Sequence, residues 1–300
     1  MLGTRGSELA LAQAALVERA LLGRWPELKV GTKIITTKGD EGRIIDPRAG
    51  RKGLFTSEIE RALLSGDIDL AVHSAKDLPS ETSPGAEIAA VLARAATDDV
   101  LVSKHSRGLA GLRDGATVAT GSVRRKHQLH WKRPDLAIVD LRGNVPTRLR
   151  KLAEREWDAI VLAGAGLERL GLSPTRSEIN FESQTFSVEI LSREIFLPAG
   201  GQGVIALQIR ADDKRVSTIV DLVNDDETLL CLRAEREFLR LLQVDCNAPV
   251  GVLAEVDGGV MKMRAQFFHD ESKAPREGKV EGERGQGERL AAQLLDLIRA

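Results

Sequence analysis

The chain has 300 residues, 42% of them hydrophobic and 29% charged, a composition that excludes a disordered chain and leaves room for about two domains and a small third. Lys and Arg number 43 against 44 Asp and Glu, so the formal net charge of −1 supplies no global field for nucleic acid. Aromatic residues at 3%, with no Tyr, leave little for stacking bases.

Only Met1 to Thr4 precede the first helical pattern, which Ser7 can cap and which carries Leu9, Leu16, Val17 and Leu21, so an opening strand has little room. Apolar runs at 29–37, 68–72, 116–120, 137–141 and 159–163 alternate with helical patterns, the reading of a parallel α/β sheet. Ser57 and Glu60 match a capping box ahead of Ile59, Leu63 and Leu64. Residues 94–99 and 198–203 lack strong periodicity and are hinge candidates, while 173–195 is a long segment with no evident functional role. After about residue 212 the style changes. An amphipathic helix over 227–242 leads through a loop with Cys246 and Pro249 into alternating Val250, Val252, Ala254 and Val256. Asp257-Gly258-Gly259 then reads as a hairpin turn into a strand over 260–268. A polar, Gly-rich stretch over 271–288 suits a loop or an edge strand, and a last helix around 290–298 completes a small α+β unit.

No stretch approaches the ~18 uninterrupted apolar residues of a membrane span, and the N-terminus shows no basic-then-apolar signal pattern. A cytoplasmic protein with no membrane or nucleic-acid partner is therefore expected. Cys231 and Cys246 have neither the CxxC spacing of a metal or redox site nor the density of a secreted scaffold. No GxGxxG or Walker pattern is present, and His73, His105, His127, His130 and His269 lack HExxH spacing, so neither a metal nor a nucleotide is expected.

In open α/β sheets ligands bind beyond the carboxyl ends of the strands, and here those ends are cationic. The 68–72 run leads into His73-Ser74-Ala75-Lys76-Asp77-Leu78-Pro79, and the 116–120 run into Gly121-Ser122-Val123-Arg124-Arg125-Lys126. Arg142 and Arg148 follow 137–141, Arg169 follows 159–163, and Arg5 and Ser7 follow the first residues, so all of them can share one cleft. Positive side chains at a helix start oppose its dipole, so Arg124 and Arg125 require a compensating anion, and the guanidinium fork suits a carboxylate. One such arginine is an ordinary surface residue. Five strand ends sharing the pattern point to a ligand with several carboxylates or phosphates. Asp77 among these cations is expected to be ionised, a poor general acid and a good stabiliser of a cationic intermediate; on local grounds it serves equally as a cap for the turn before Pro79.

These residues carry a resemblance. Thr4-Arg5-Gly6-Ser7, Lys52-Gly53-Leu54-Phe55, the 73–79 segment, Leu141-Arg142-Gly143-Asn144-Val145, Gly201-Gln202-Gly203 and the Cys246 loop, in this order over nearly the whole chain, resemble the porphobilinogen deaminase (hydroxymethylbilane synthase) family. The resemblance implies two α/β domains of the periplasmic-binding-protein type around a cleft, at 1–93 with 203–221 and at 98–198, and an α+β domain at 224–300. It implies a transferase that joins four porphobilinogen molecules head to tail, releases ammonia each time, and delivers the linear tetrapyrrole hydroxymethylbilane from a covalent dipyrromethane primer. By similarity Asp77 is the catalytic carboxylate: it assists proton transfer at the aminomethyl nitrogen, stabilises the azafulvenium cation and helps remove the proton after the carbon–carbon bond forms. Arg5, Ser7, Lys76, Ser122, Arg124, Arg125, Arg142, Arg148 and Arg169 match positions that hold carboxylates of cofactor or growing chain. Cys246 occupies the loop position of the thioether link, with Ser74 and Gln202 also assigned to the cofactor, whereas Cys231 lies in an apolar helical pattern and reads as a core residue.

The sequence departs from the family pattern at its short start, at Lys38-Gly39-Asp40 where Arg-Gly-Asp is common, and at Gly121-Ser122-Val123 where many members have two hydroxyls. Lys38 can act as a point charge but cannot grip a carboxylate bidentately. The resemblance also implies a monomer. Two rival readings remain: a two-domain module that captures a dicarboxylate without chemistry, and a nucleotide-dependent enzyme, the latter weakened by the missing phosphate loop. Replacing Arg142 by Leu is expected to cost ~2–5 kcal/mol if its carboxylate pair is desolvated.

Overall fold

Three residues suffice for the first strand, β1 (Leu2–Thr4), because it lies inside its sheet and pairs in parallel with β2 (Thr32–Ile34) on one side and β3 (Leu70–Ser74) on the other. The computed structural model describes residues 1–37, 39, 56–105, 108–173, 177–243, 248–270 and 274–299. Helix α1 (Glu8–Arg24) begins as expected, with the Ser7 hydroxyl accepting from the Ala10 N–H. Helix α2 (Ser57–Leu64) does not: its N-cap is Thr56, with no side-chain cap bond. Glu60 is buried instead and accepts from Ser83 Oγ and Gln208 Nε2, both at 2.8 Å, so a tertiary role displaces the expected capping box.

The first sheet has the order β2-β1-β3-β11-β4, with β4 at Ala86–Val91 and β11 at Ile205–Arg210. The second has the order β7-β6-β8-β5-β10-β9, built from β5 (Asp99–Ser103), β6 (Thr117–Ala119), β7 (Ala137–Val139), β8 (Ala159–Ala163), β9 (Glu178–Phe181) and β10 (Gln184–Ile190). Its helices are α3 (Val123–Lys132), α4 (Val145–Glu154) and α5 (Gly164–Arg169). The unassigned 173–195 segment thus supplies the β9–β10 hairpin that extends this sheet.

Both sheets are mixed rather than parallel. After β4 the chain crosses to the second sheet as β5, and after β10 it returns as β11, which runs antiparallel to β3 as β5 does to β8. A strand arriving from the opposite lobe enters at the edge where the parallel strands end, so it must run against them. That entry sets Asp99, the first residue of β5, opposite Ala163, the last of β8, and Ile205 opposite Ser74. The crossovers lie side by side, with Ala95 N–H donating to Gly203 O at 3.1 Å.

Past α6 (Lys214–Asp221), helices α7 (Asp226–Leu242) and α8 (Gly287–Arg299) pack on the sheet of β12 (Val250–Asp257), β13 (Val260–Phe267) and β14 (Arg276–Glu283). Gly258 and Gly259 both have positive φ, 60° and 115°, which two-residue hairpin turns demand. Phe238, Met261, Met263 and Leu294 centre this core, and Cys231 belongs to it, burial pushing its thiol up to about 12. Leu229 and Leu232 face the other way and join Ala75, Leu78, Val91, Val204 and Ala206 in a cluster shared with the first lobe. The architecture is two α/β lobes, each on its own mixed sheet, with a smaller α+β unit beside them. Among the described residues no helix is long and apolar enough to cross a membrane.

Candidate active site

Strand β3 ends at the cleft edge and tightens into a single 3₁₀ turn, Ala75–Asp77, closed by Leu78 N–H to Ala75 O at 3.1 Å. The turn leaves Lys76 half-buried and Asp77 exposed. Arg5, Ser7, Ser74 and Asp77 line one hollow open to solvent, with Gln13, Thr56 and His73 among its other walls. Gln13 Nε2 donates to Ser74 Oγ at 2.8 Å, so Ser74 belongs to the wall. His73 turns inward to Gln208 (3.0 Å), and burial holds it neutral, lowering it to about 4.

Around this turn the cations gather. Ser122 caps α3 and accepts from the Arg125 N–H, which sends the two following arginines inward. Arg125 Nη2 donates to Asp99 Oδ1 at 2.7 Å and its Nη1 to Val161 O at 2.9 Å. Arg124 Nη1 donates to Asp99 Oδ2 and Leu197 O, each at 2.8 Å, and to Gln128 Oε1 at 2.9 Å. Burial opposes ionisation of Asp99, yet the Arg124 and Arg125 guanidiniums outweigh it and hold the carboxyl far below its ordinary range. Asp99, 25 and 26 residues from its partners, supplies an anion at this helix start. Sequence reading placed Asp99 in a hinge; the available signal was a carboxylate immediately before the apolar run 100–102.

Burial sets the surroundings of two more of these residues and exposure those of a third. Arg124 is buried, and its Nε, like that of Arg125, has no partner among the described residues. Gln202 is 1% exposed, and its amide donates to Thr97 O at 2.6 Å and Asp99 Oδ1 at 2.9 Å, bracing the crossovers. Arg142 is about half exposed and pairs with Asp140 at 2.7 Å, so the loss expected for a desolvated pair does not apply to it.

Lys76, Arg148 and Arg169 remain under strain of another kind. Burial and then Arg125 lower Lys76 to about 8; the same two causes lower Arg148 to about 10, and burial lowers Arg169 to about 10. Among the described residues, Arg148 Nε donates to the main-chain carbonyl of Gly143 at 2.7 Å and Arg169 Nη2 to that of Gly203 at 2.6 Å. Among the described residues, Lys76, Arg124, Arg125 and Arg148 thus share an electrostatic neighbourhood with Asp77, Asp99 and the exposed Asp140. Cys246 lies outside the described residues, as do Lys38, Asp40 and the 52–55 motif.

The family model described as "Porphobilinogen deaminase, dipyromethane cofactor binding domain" matches residues 1–218, and "Porphobilinogen deaminase, C-terminal domain" matches 229–298. The porphobilinogen deaminase of Roseiflexus sp. (strain RS-1) is 44% identical over 99% of this chain and 95% of its own length. That of Syntrophomonas wolfei is 47% identical over 88% of this chain and 83% of its own. Among solved structures, the methionine binding protein MetQ aligns with 76% of this chain and 91% of its own at 17% identity and a TM-score of 0.44. Two matched family segments running from residue 1 to residue 298, and 44% identity sustained over 99% of the chain, establish that it belongs to the porphobilinogen deaminase family.

Proposed function

We propose that Asp77 is the carboxylate that serves each condensation and that Lys76, Arg125, Arg148 and Arg169, with Arg5, Arg142, Ser7 and Ser122 at the rim, hold the acetate and propionate groups of the pyrroles. Members of this family are transferases that polymerise porphobilinogen into a linear tetrapyrrole from a dipyrromethane primer. The observation that carries the assignment of roles is the gathering of cations, half-buried Lys76 and Arg148 with buried Arg125, beside the exposed Asp77.

The residues fit such a primer. A half-buried lysine and arginines that donate to main-chain carbonyls gain from several carboxylates, because charge-assisted pairs restore what desolvation took. When bound, a dipyrromethane supplies the nucleophilic pyrrole carbon from which the chain grows. The exposed Asp77 carboxylate accepts a hydrogen bond from the substrate's ammonium, faces the cation left as ammonia departs, and takes the proton released once the carbon–carbon bond has formed. Cys246 is the proposed thioether position. We further propose a monomeric cytoplasmic enzyme that uses neither nucleic acid nor membrane, divided at 1–93 with 203–221, 98–198 and 224–300; the three sheets support that division and the balanced net charge supports the lack of a nucleic-acid partner.

Intact mass spectrometry with peptide mapping tests this directly. The expected result is an excess of two linked pyrrole units on Cys246 and stepwise growth on adding porphobilinogen. An unmodified chain that porphobilinogen leaves unchanged would favour a carboxylate-binding module without chemistry.

The lysine adds a pH signature. Lys76 sits at about 8 and a bound carboxylate raises it toward its ordinary 10.5, so binding takes up a proton between those values and weakens as pH rises through 8. kcat/KM should therefore fall on the alkaline side with a pKa near 8. Lys76→Met should remove that limb and lower kcat/KM at pH 7 by about 10–100-fold, the worth of a hydrogen bond to a charged group. An unchanged alkaline limb in the variant would assign it to another residue.

A further inference from the structure

We infer that Glu235 is a positioning residue for the condensation: from the third unit it holds the Gly201 backbone against the turn that carries Lys76 and Asp77. The inference rests on the reading of Asp77 as the catalytic carboxylate.

Glu235 is completely buried on α7 and collects four donors. Its Oε1 accepts from Arg94 Nη1 at 2.6 Å and Ala254 N at 2.8 Å; its Oε2 accepts from Gly201 N at 2.7 Å and Arg94 Nη2 at 3.1 Å. Only an ionised carboxylate satisfies four converging donors, since a carboxamide turns an N–H toward at least one of them. The four bonds join both crossovers, through Arg94 and Gly201, to β12, through Ala254.

Gly201 transmits the restraint. Its φ is +73°, and a Cβ there would stand 3.0 Å from both Ala75 C and Lys76 N, so its main chain lies flat against the peptide that opens the catalytic turn. The next contact closes the loop: Gly201 O accepts from Val204 N at 3.2 Å, and Val204 O accepts from Ala75 N at 3.0 Å. One end of this wedge is bonded to the turn and the other to Glu235. Leu229 and Leu232, one to two turns earlier on the same helix, back the turn through Ala75 and Leu78. Helix α7 therefore reaches the Lys76–Asp77 turn twice, once by apolar packing and once through Gly201.

A plain clamp between units would depend on Arg94, which also donates to Gln202 O at 2.9 Å, whereas positioning depends on the bond to Gly201. The two roles separate experimentally. The test compares Glu235→Gln, Arg94→Lys, Gly201→Ala and Asp77→Ala as cofactor-loaded enzymes, with loading checked by mass, and reads kcat, KM for porphobilinogen and Tm. Glu235→Gln is expected to lose tenfold or more in kcat with KM within threefold. Gly201→Ala is expected to reproduce that split, because its Cβ pushes on the same peptide. Arg94→Lys keeps kcat within threefold while Tm falls. Loaded Glu235→Gln with kcat within threefold of wild type would overturn the inference, as would equal kcat losses in Glu235→Gln and Arg94→Lys. Failure of both Glu235→Gln and Gly201→Ala to fold, with Arg94→Lys folded and active, would assign Glu235 a structural role and also overturn it. An active Asp77→Ala would defeat the underlying reading instead, whereas an inactive Asp77→Ala beside an unaffected Glu235→Gln would defeat this inference alone.

Discussion

Replacing Asp77 by Ala is expected to lower kcat by about 10²–10⁴-fold, the range that a positioned proton-transfer group supplies, while leaving the fold intact. The side chain is exposed at the end of its turn, so its removal opens no cavity. Surface changes of that kind stay within about 0.5 kcal/mol. Steady-state turnover and thermal melting on the same loaded preparation separate the two effects. A variant with kcat within tenfold of wild type would move the catalytic role away from Asp77, whereas loss of both activity and Tm would show that the turn depends on this carboxylate for its shape.

Asp99 should behave in the opposite way. It is fully buried and holds two guanidiniums and the Gln202 amide, so Asp99→Asn leaves Arg124 and Arg125 as buried cations without an anion. Breaking a buried pair from one side costs about 3–5 kcal/mol, which corresponds to a fall of roughly 10 °C in Tm for domains of this size. The pH dependence carries the same signature. Because the folded pKa of Asp99 lies below its ordinary 3.8, its stabilisation is present above that value and is lost as pH falls through the folded one. Denaturant titrations at pH 7 and in acid should show wild type losing this contribution on acidification and Asp99→Asn lacking it throughout. A Tm within 2 °C of wild type would mean that neighbouring groups or water take over the role of the carboxylate.

The contrast between these two aspartates marks what was legible beforehand. Asp77 could be picked from its own neighbourhood: an apolar run, then Lys76-Asp77 and a proline, at the strand end where ligands collect. The β8 run at 159–163, the cap at Ser7 and the Gly258-Gly259 hairpin were equally accessible, since each is set by a period or cap within a few residues. The expected capping box at Ser57 and Glu60 shows the limit of such signals, because Glu60 is drawn away by Ser83 and Gln208. Arg124 illustrates the same limit within the candidate site. Its charge and position called for an anion, but nothing local distinguished a ligand's carboxylate from the protein's own.

Local spacing and motif order in the 300 residues therefore determined the α/β character, the α+β end, the family resemblance and the reactive turn. Which charges answer one another was decided by the crossings between lobes. Because β5 and β11 enter at the cleft edge and run against their neighbours, Asp99 meets Arg124 and Arg125, Gln202 meets Asp99 across 103 residues, and Glu235 meets Arg94 across 141. A chain's periodicity records which side of an element is buried. It does not record which distant side chain will stand opposite, and in a desolvated cleft that partner decides whether a cation is already neutralised or still available to a ligand.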